Sequence, residues 1–152
     1  MTPLFLAAWL ASGLGRISPA ETLPLVEEAE RQEERHGLPG GLLISVILIE
    51  SAGRSLVVRR RCGWDVGPGQ VHVHALGPWV PRERLARLLV LSTNLDAAAG
   101  LLARSRATCH RRPRLRHCRR SVWAGYNAGA PRWWPAVARV WARLRGYREP
   151  TV

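Results

Sequence analysis

The sequence predicts a mainly α, single-domain protein with one Gly/Pro-rich loop or short hairpin region, and three observations carry that reading. With 152 residues, 47% hydrophobic side chains and seven Trp, the chain is long enough to close one core. Apolar residues recur at helical spacing over most of its length, whereas Ala52 to Pro81 is rich in Gly, Pro and Arg. Charge is one-sided: the formal net charge is +12, and all 23 basic residues are Arg. That composition excludes a disordered or fibrous chain and points to a partner that carries negative charge.

The opening "MTPLFLAAWLASGLG", within residues 1–20, joins a short apolar stretch to small residues as an export signal would, although no Lys or Arg precedes it. The alternative is an N-terminal helix packed on the domain, which is expected to occupy residues 21–152. "TLPLVEEAERQEERHG" reads as a helix capped by Thr22, with Pro24 in its first turn and a stop at Gly37. Leu25, Ala29 and Gln32 would line one side, and the outer face would be acidic and solvated. "LPGGLLISVILIES" is apolar on every side, as a helix in the middle of a domain must be. Neither apolar stretch reaches the roughly eighteen residues of a membrane span, so no transmembrane helix is expected.

The Gly/Pro/Arg-rich region follows, with brief alternation at "QVHVH". Two helices are expected near Pro81 to Leu91 and Thr93 to Arg104. "SVWAGYNAG" and "PRWWPAVARVWARLRG" complete the domain, without repeats. Among Cys62, Cys109 and Cys118 the favoured bridge is Cys109 to Cys118, which would pin "CHRRPRLRHC", a loop with too much like charge to order itself. The rivals are free thiols in a reducing compartment and a metal site from Cys109, His110, His117 and Cys118. The adjacent Cys-His pairs do not match the usual zinc spacings, and no metal is expected.

Six of the 11 acidic residues lie between Glu21 and Glu34, so any acid chemistry must draw on Glu50, Asp65, Glu83, Asp96 or Glu149. Glu50 stands out because it ends the most apolar helix. Burial and the negative end of the helix dipole both disfavour its ionised form, so its pKa should be raised, as a general acid for glycosidic cleavage requires. The plainer reading is that Glu50 emerges past the buried segment and pairs with an Arg such as Arg54.

The segments "IES" at Glu50, "DVGPGQVH" at Asp65 to His72, "NLDAAAGLL" at Asn94 to Leu102 and "AGYNAG" at Ala124 to Gly129 occur in a telling order. In order and approximate spacing the sequence resembles the soluble, goose-lysozyme-like lytic transglycosylases over residues 22–142. The resemblance implies a lysozyme-like fold. It implies Glu50 as the single catalytic acid, with Ser51 following it. Gly67 and Gln70 would belong to the family's Gly-Leu-Met-Gln segment, Asn94 and Gly100 to the helix motif, and Tyr126, Asn127 and Gly129 to its Ala-Tyr-Asn-Ala-Gly signature. Ser51, Gln70, Tyr126 and Asn127 would serve substrate binding. Three departures stand out: Pro68 and Gly69 replace Leu and Met, Gly125 replaces the Ala before Tyr126, and "RSLVVRRRCGWD" takes the place of a Ser-rich approach.

The implied reaction is non-hydrolytic cleavage between N-acetylmuramic acid and N-acetylglucosamine, closing a 1,6-anhydromuramyl ring. Glu50 would act first as acid and then as base, without a cofactor. The Tyr126 hydroxyl would orient the Glu50 carboxyl, while Gln70 and Asn127 would hydrogen-bond sugar. Asp65 would shape its loop, or as a second carboxylate would turn the enzyme into a muramidase hydrolase. His72 and His74, on one face if the segment is a strand, could bind metal, but with no third ligand at hand they are expected to be solvated or to line the groove. Trp133 and Trp134 would pack in the core or stack on sugar.

The expected partners are peptidoglycan glycan strands and the anionic cell-wall surface, and the protein, bacterial or phage, is expected outside the cytoplasm, in the periplasm or cell envelope, as a monomer. A nucleic-acid-binding module would explain the Arg excess through phosphate contacts but would leave Glu50, Gln70 and the Tyr126-Asn127 pair without a role, and no nucleic acid is expected. A catalytically silent wall-binding protein would leave only the buried acid unexplained.

Overall fold

Ser18 rather than Thr22 starts the first helix, α1 (Pro19–Arg35). Its hydroxyl accepts from the Glu21 N–H at 3.2 Å and the Glu21 carboxylate accepts from the Ser18 N–H at 3.1 Å, a reciprocal capping box with Pro19 at the first helical position. Thr22 therefore lies inside the helix, where its hydroxyl donates to the Ser18 carbonyl at 2.8 Å, and Pro24 sits beyond the first turn on the exposed side. The computed structural model describes residues 18–60, 62–74, 82–127, 130 and 132–148. The expected export signal or apolar N-terminal segment, Glu149 and Gly129 lie outside them.

Leu25, Ala29 and Gln32 of α1 are buried as expected, and Gly37 ends the helix with a left-handed φ of 60°. The acidic face is not wholly solvated, because Glu28 and Glu33 are buried too. Glu33 has a task there: its carboxylate accepts from the N–H groups of Gly41 at 2.7 Å and Leu43 at 2.6 Å. These belong to the start of α2 (Leu42–Ser51), whose own N-cap, Gly41, offers no side chain.

Helix α2 is the centre of the core. Leu42, Leu43, Ile44, Val46 and Ile47 are all but inaccessible, and each such side chain contributes on the order of 1.5–3 kcal/mol by leaving water. The helix loses its cover towards its end, where Leu48 is half-buried and Ile49 exposed, and it stops at Ala52, whose φ of 53° breaks the helical path. Glu50 is thereby delivered from the core to its margin.

The Gly/Pro/Arg-rich region forms two successive hairpins: β1 (Val57–Arg60), β2 (Gly63–Val66) and β3 (Val71–His74), antiparallel in the order β1-β2-β3. "QVHVH" supplies β3, with Val71 and Val73 inward and His72 and His74 outward. Asp65, in the middle of β2, pairs with Val58 on one side and His72 on the other.

Helices α3 (Arg82–Leu89) and α4 (Leu91–Arg111) follow, α4 continuing past Arg104 to include Cys109. Asp96 of α4 ties this helix to the end of α1 by accepting from His36 at 2.9 Å and pairing with Arg35 at 3.2 Å. Cys109 and Cys118 are joined in a disulfide, with Cα atoms 5.2 Å apart, and Cys62 is free and exposed. Cys109, His117 and Cys118 do cluster, yet with both thiols in the bridge they make no metal site. A 3-10 turn (Ala124–Asn127) and α5 (Trp133–Arg148) complete the described chain, α5 packing along α2. The protein is thus a mainly helical single domain with a small three-stranded sheet. No single described helix is long and apolar enough to cross a membrane.

Candidate active site

Glu50, in the last turn of α2, faces a cleft of about 350 Å3 between that helix, the sheet and the 3-10 turn. Arg60, Asp65 and His72 line it from the sheet, Gln70 from the β2–β3 turn, and Tyr126 and Asn127 from the 3-10 turn. Burial raises the pKa of Glu50, against hydrogen bonds from Trp133 and Asn127 that favour the carboxylate; Asp65 adds to the rise and Arg60 opposes it. Burial is the largest of these influences, so the net direction is towards a protonated acid. Arg54 does not neutralise it, since its guanidinium donates to the Ser51 carbonyl at 3.2 Å.

The orienting donor is not the one expected. The Nε1–H of Trp133 donates to Oε1 of Glu50 at 2.6 Å, across 83 residues of sequence, whereas the Tyr126 hydroxyl donates to the Gly69 carbonyl at 2.5 Å. Burial, with Glu50 and Asp65 nearby, pushes the Tyr126 phenol above its usual range and keeps it a donor. Tyr126 still acts on the acid at one remove, because its ring stacks on Trp133 with centroids 5.4 Å apart and planes within 6°.

Asn94 fixes the other end of this chain of contacts. It is fully buried; its amide nitrogen donates to the carbonyls of Val66 at 2.8 Å and Leu88 at 3.0 Å, and its oxygen accepts from the Gly69 N–H at 2.8 Å. Gly67 has a φ of 73°, and a Cβ there would lie 2.2 Å from the Asn94 nitrogen. The departures at Gly69 and Gly125 have the same kind of cause. A Cβ on Gly69 would come within 2.8 Å of the Ala98 Cβ, leaving no room for Met, and one on Gly125 within 2.4 Å of the Ser105 hydroxyl oxygen.

Two expected substrate contacts are engaged within the protein. Ser51 is buried, and its hydroxyl donates to the Pro68 carbonyl at 2.7 Å, fastening α2 to the glycine turn. The Gln70 amide donates to the Gly67 carbonyl at 2.9 Å, bracing its own φ of 49°, although Gln70 remains part of the cleft wall. A Cβ on Gly100 would meet the His36 ring only at ordinary contact distance, 3.6 Å, and Gly100 does not line the cleft. Asp65 stands in a strand rather than a loop, and both its oxygens are engaged, by Arg60 at 2.5 Å and His72 at 2.7 Å. His72 lines the groove as expected and His74 is exposed beside it, ring centroids 5.9 Å apart; Trp134 is half-buried against the core.

No family model, curated protein or solved structure matches the chain. Its chemistry must therefore be read from the cleft itself. That cleft holds one carboxyl biased towards its acid form and, beside it, one carboxylate held by two basic side chains. The sequence reading weighed Trp133 only for core packing or sugar stacking and missed its bond to Glu50, and it missed Arg60 altogether. A buried indole N–H needs an acceptor, but nothing near Trp133 in sequence names it; Arg60 was hidden in a run of three Arg.

Proposed function

We propose that the protein is a peptidoglycan lytic transglycosylase that cleaves the N-acetylmuramic acid to N-acetylglucosamine bond without water. The observation that carries the proposal is Glu50, a carboxyl biased towards protonation by burial yet facing a polar cleft. The protonated acid gives its proton to the glycosidic oxygen as the C1–O bond breaks. Positive charge develops at the muramyl C1, where the N-acetyl oxygen can stabilise it. Glu50, now a carboxylate, accepts the proton of the muramyl 6-hydroxyl as that oxygen bonds to C1, which restores the acid and closes the 1,6-anhydro ring. Asn127 and Gln70, which line the same cleft, would hydrogen-bond the sugar.

The second reading, a muramidase hydrolase, is favoured by the presence of Asp65 in the same cleft. Against it, the engagement of both Asp65 oxygens by Arg60 and His72 makes a poor base for a water. The surface supports a polyanionic wall as partner: Arg111, Arg112, Arg114, Arg116, Arg119 and Arg120 are exposed around the disulfide and form no ion pair among the described residues. A disulfide fits an oxidising, extracytoplasmic compartment.

The test is Glu50→Gln, which keeps the shape and an oxygen for Trp133 but can neither give nor take the proton. Solubilisation of purified sacculi should fall below a few per cent of wild type while the circular dichroism spectrum is unchanged. A non-catalytic polyanion-binding module would predict equal binding and equal, negligible solubilisation by both proteins.

A further inference from the structure

We infer that Trp133 decides which oxygen of the Glu50 carboxyl carries the proton, and so acts as a positioning residue for proton transfer. The geometry stands by itself; only the catalytic consequence rests on the function proposed above. An indole N–H donates and never accepts, so the oxygen it meets at 2.6 Å serves best unprotonated. The proton of Glu50 is thereby directed to Oε2. Once the proton has left, the same bond becomes charge-assisted and strengthens. Trp133 thus draws the acid towards giving up its proton, against the burial that retains it.

The indole is well held for this task. It is buried, stacked face to face on Tyr126, and Tyr126 is anchored through Gly69 to Asn94. The other groups that face the carboxyl are Asn127 and Tyr126 from the 3-10 turn, Asp65 from β2, Arg60 from β1 and His72 from β3. Trp133→Phe keeps an aromatic ring against Tyr126 and removes the donor together with part of the indole's volume, and the indole resonance of the wild type reads the donor with the packing unchanged. Without that donor, the acid should hold its proton more tightly and release it less readily.

The experiment is a carbon-13 NMR titration of the glutamate carboxyls in wild type and Trp133→Phe, with Glu50 assigned by its loss in Glu50→Gln. The Glu50 midpoint should rise by about one unit in Trp133→Phe, a tenfold tighter hold on the proton. In wild type the Trp133 indole proton resonance should move with the same midpoint as the Glu50 carboxyl. In sacculus cleavage kcat should fall about tenfold with KM little changed, and the pH profile should move up with the carboxyl. An unchanged Glu50 midpoint in folded Trp133→Phe would overturn the inference. So would an indole resonance indifferent to Glu50 ionisation, a readout that does not require the variant to fold. A shifted midpoint in a protein that cleaves no glycan would uphold the positioning role and defeat the proposed function instead.

Discussion

At Glu50, two opposing demands meet in one side chain. In the proposed reaction the carboxyl must be dry enough to stay protonated, yet hydrogen-bonded well enough to exist as a carboxylate between the two halves, and Trp133 with Asn127 would supply that second need. The demand has a thermodynamic signature. Because the folded-state pKa of Glu50 lies above its unfolded value, the native state binds this proton more tightly than the unfolded chain does. Its ionisation therefore weakens the fold as pH rises from the ordinary carboxyl range through the raised value. Glu50→Gln has no such loss. Urea unfolding should find the variant more stable than wild type near pH 7, with the difference shrinking as the pH is lowered below the usual carboxylate range. A difference independent of pH would mean that Glu50 is not biased towards its acid form.

Among the elements, the β2–β3 turn has the most exacting construction, since Gly67, Gly69 and Gln70 are locked to α4 through Asn94 and to α2 through Ser51. Gly67→Ala adds a Cβ in the left-handed region, on top of the Asn94 nitrogen that serves Val66 and Leu88. The strain and the broken buried hydrogen bonds together should destabilise by about 3 kcal/mol, lowering Tm by about 10 °C in a domain of this size. A calorimetric change below about 2 °C would show that the turn tolerates the side chain. Gly67 and Asn94 were singled out only through the resemblance, and the contact between them was not foreseen, whereas helix α2 was legible from its all-apolar run. β1 was not: its "VVRR" is largely exposed, so the alternation that betrays a strand is missing, and only pairing with β2 reveals it. The start of α1 was misplaced because Ser18 and Glu21 make a capping box one turn before Thr22, a signal that the more conspicuous Thr-Leu-Pro sequence obscured. Contacts made across long stretches of chain, such as Trp133 to Glu50, have no local signature at all.

On the scale of the whole molecule, exposed Arg side chains surround the disulfide and Arg60 lines the cleft. Six exposed Arg between Arg111 and Arg120 flank the disulfide, while Glu50 and Asp65 lie where α2 meets the sheet. Under the proposed function, the exposed Arg would hold the molecule on the anionic polymer whose strand the cleft acts on. Which reaction follows depends on whether Glu50 works alone or with Asp65. The most direct measurement is mass spectrometry of the muropeptides released from sacculi by wild type and by Asp65→Asn. A single acid that later serves as base predicts 1,6-anhydromuramyl ends as the main product of both proteins, with the rate of Asp65→Asn reduced less than about tenfold. Reducing-end N-acetylmuramic acid as the main product of the wild type, with activity lost on the order of a hundredfold in Asp65→Asn, would contradict the account and make the protein a hydrolase.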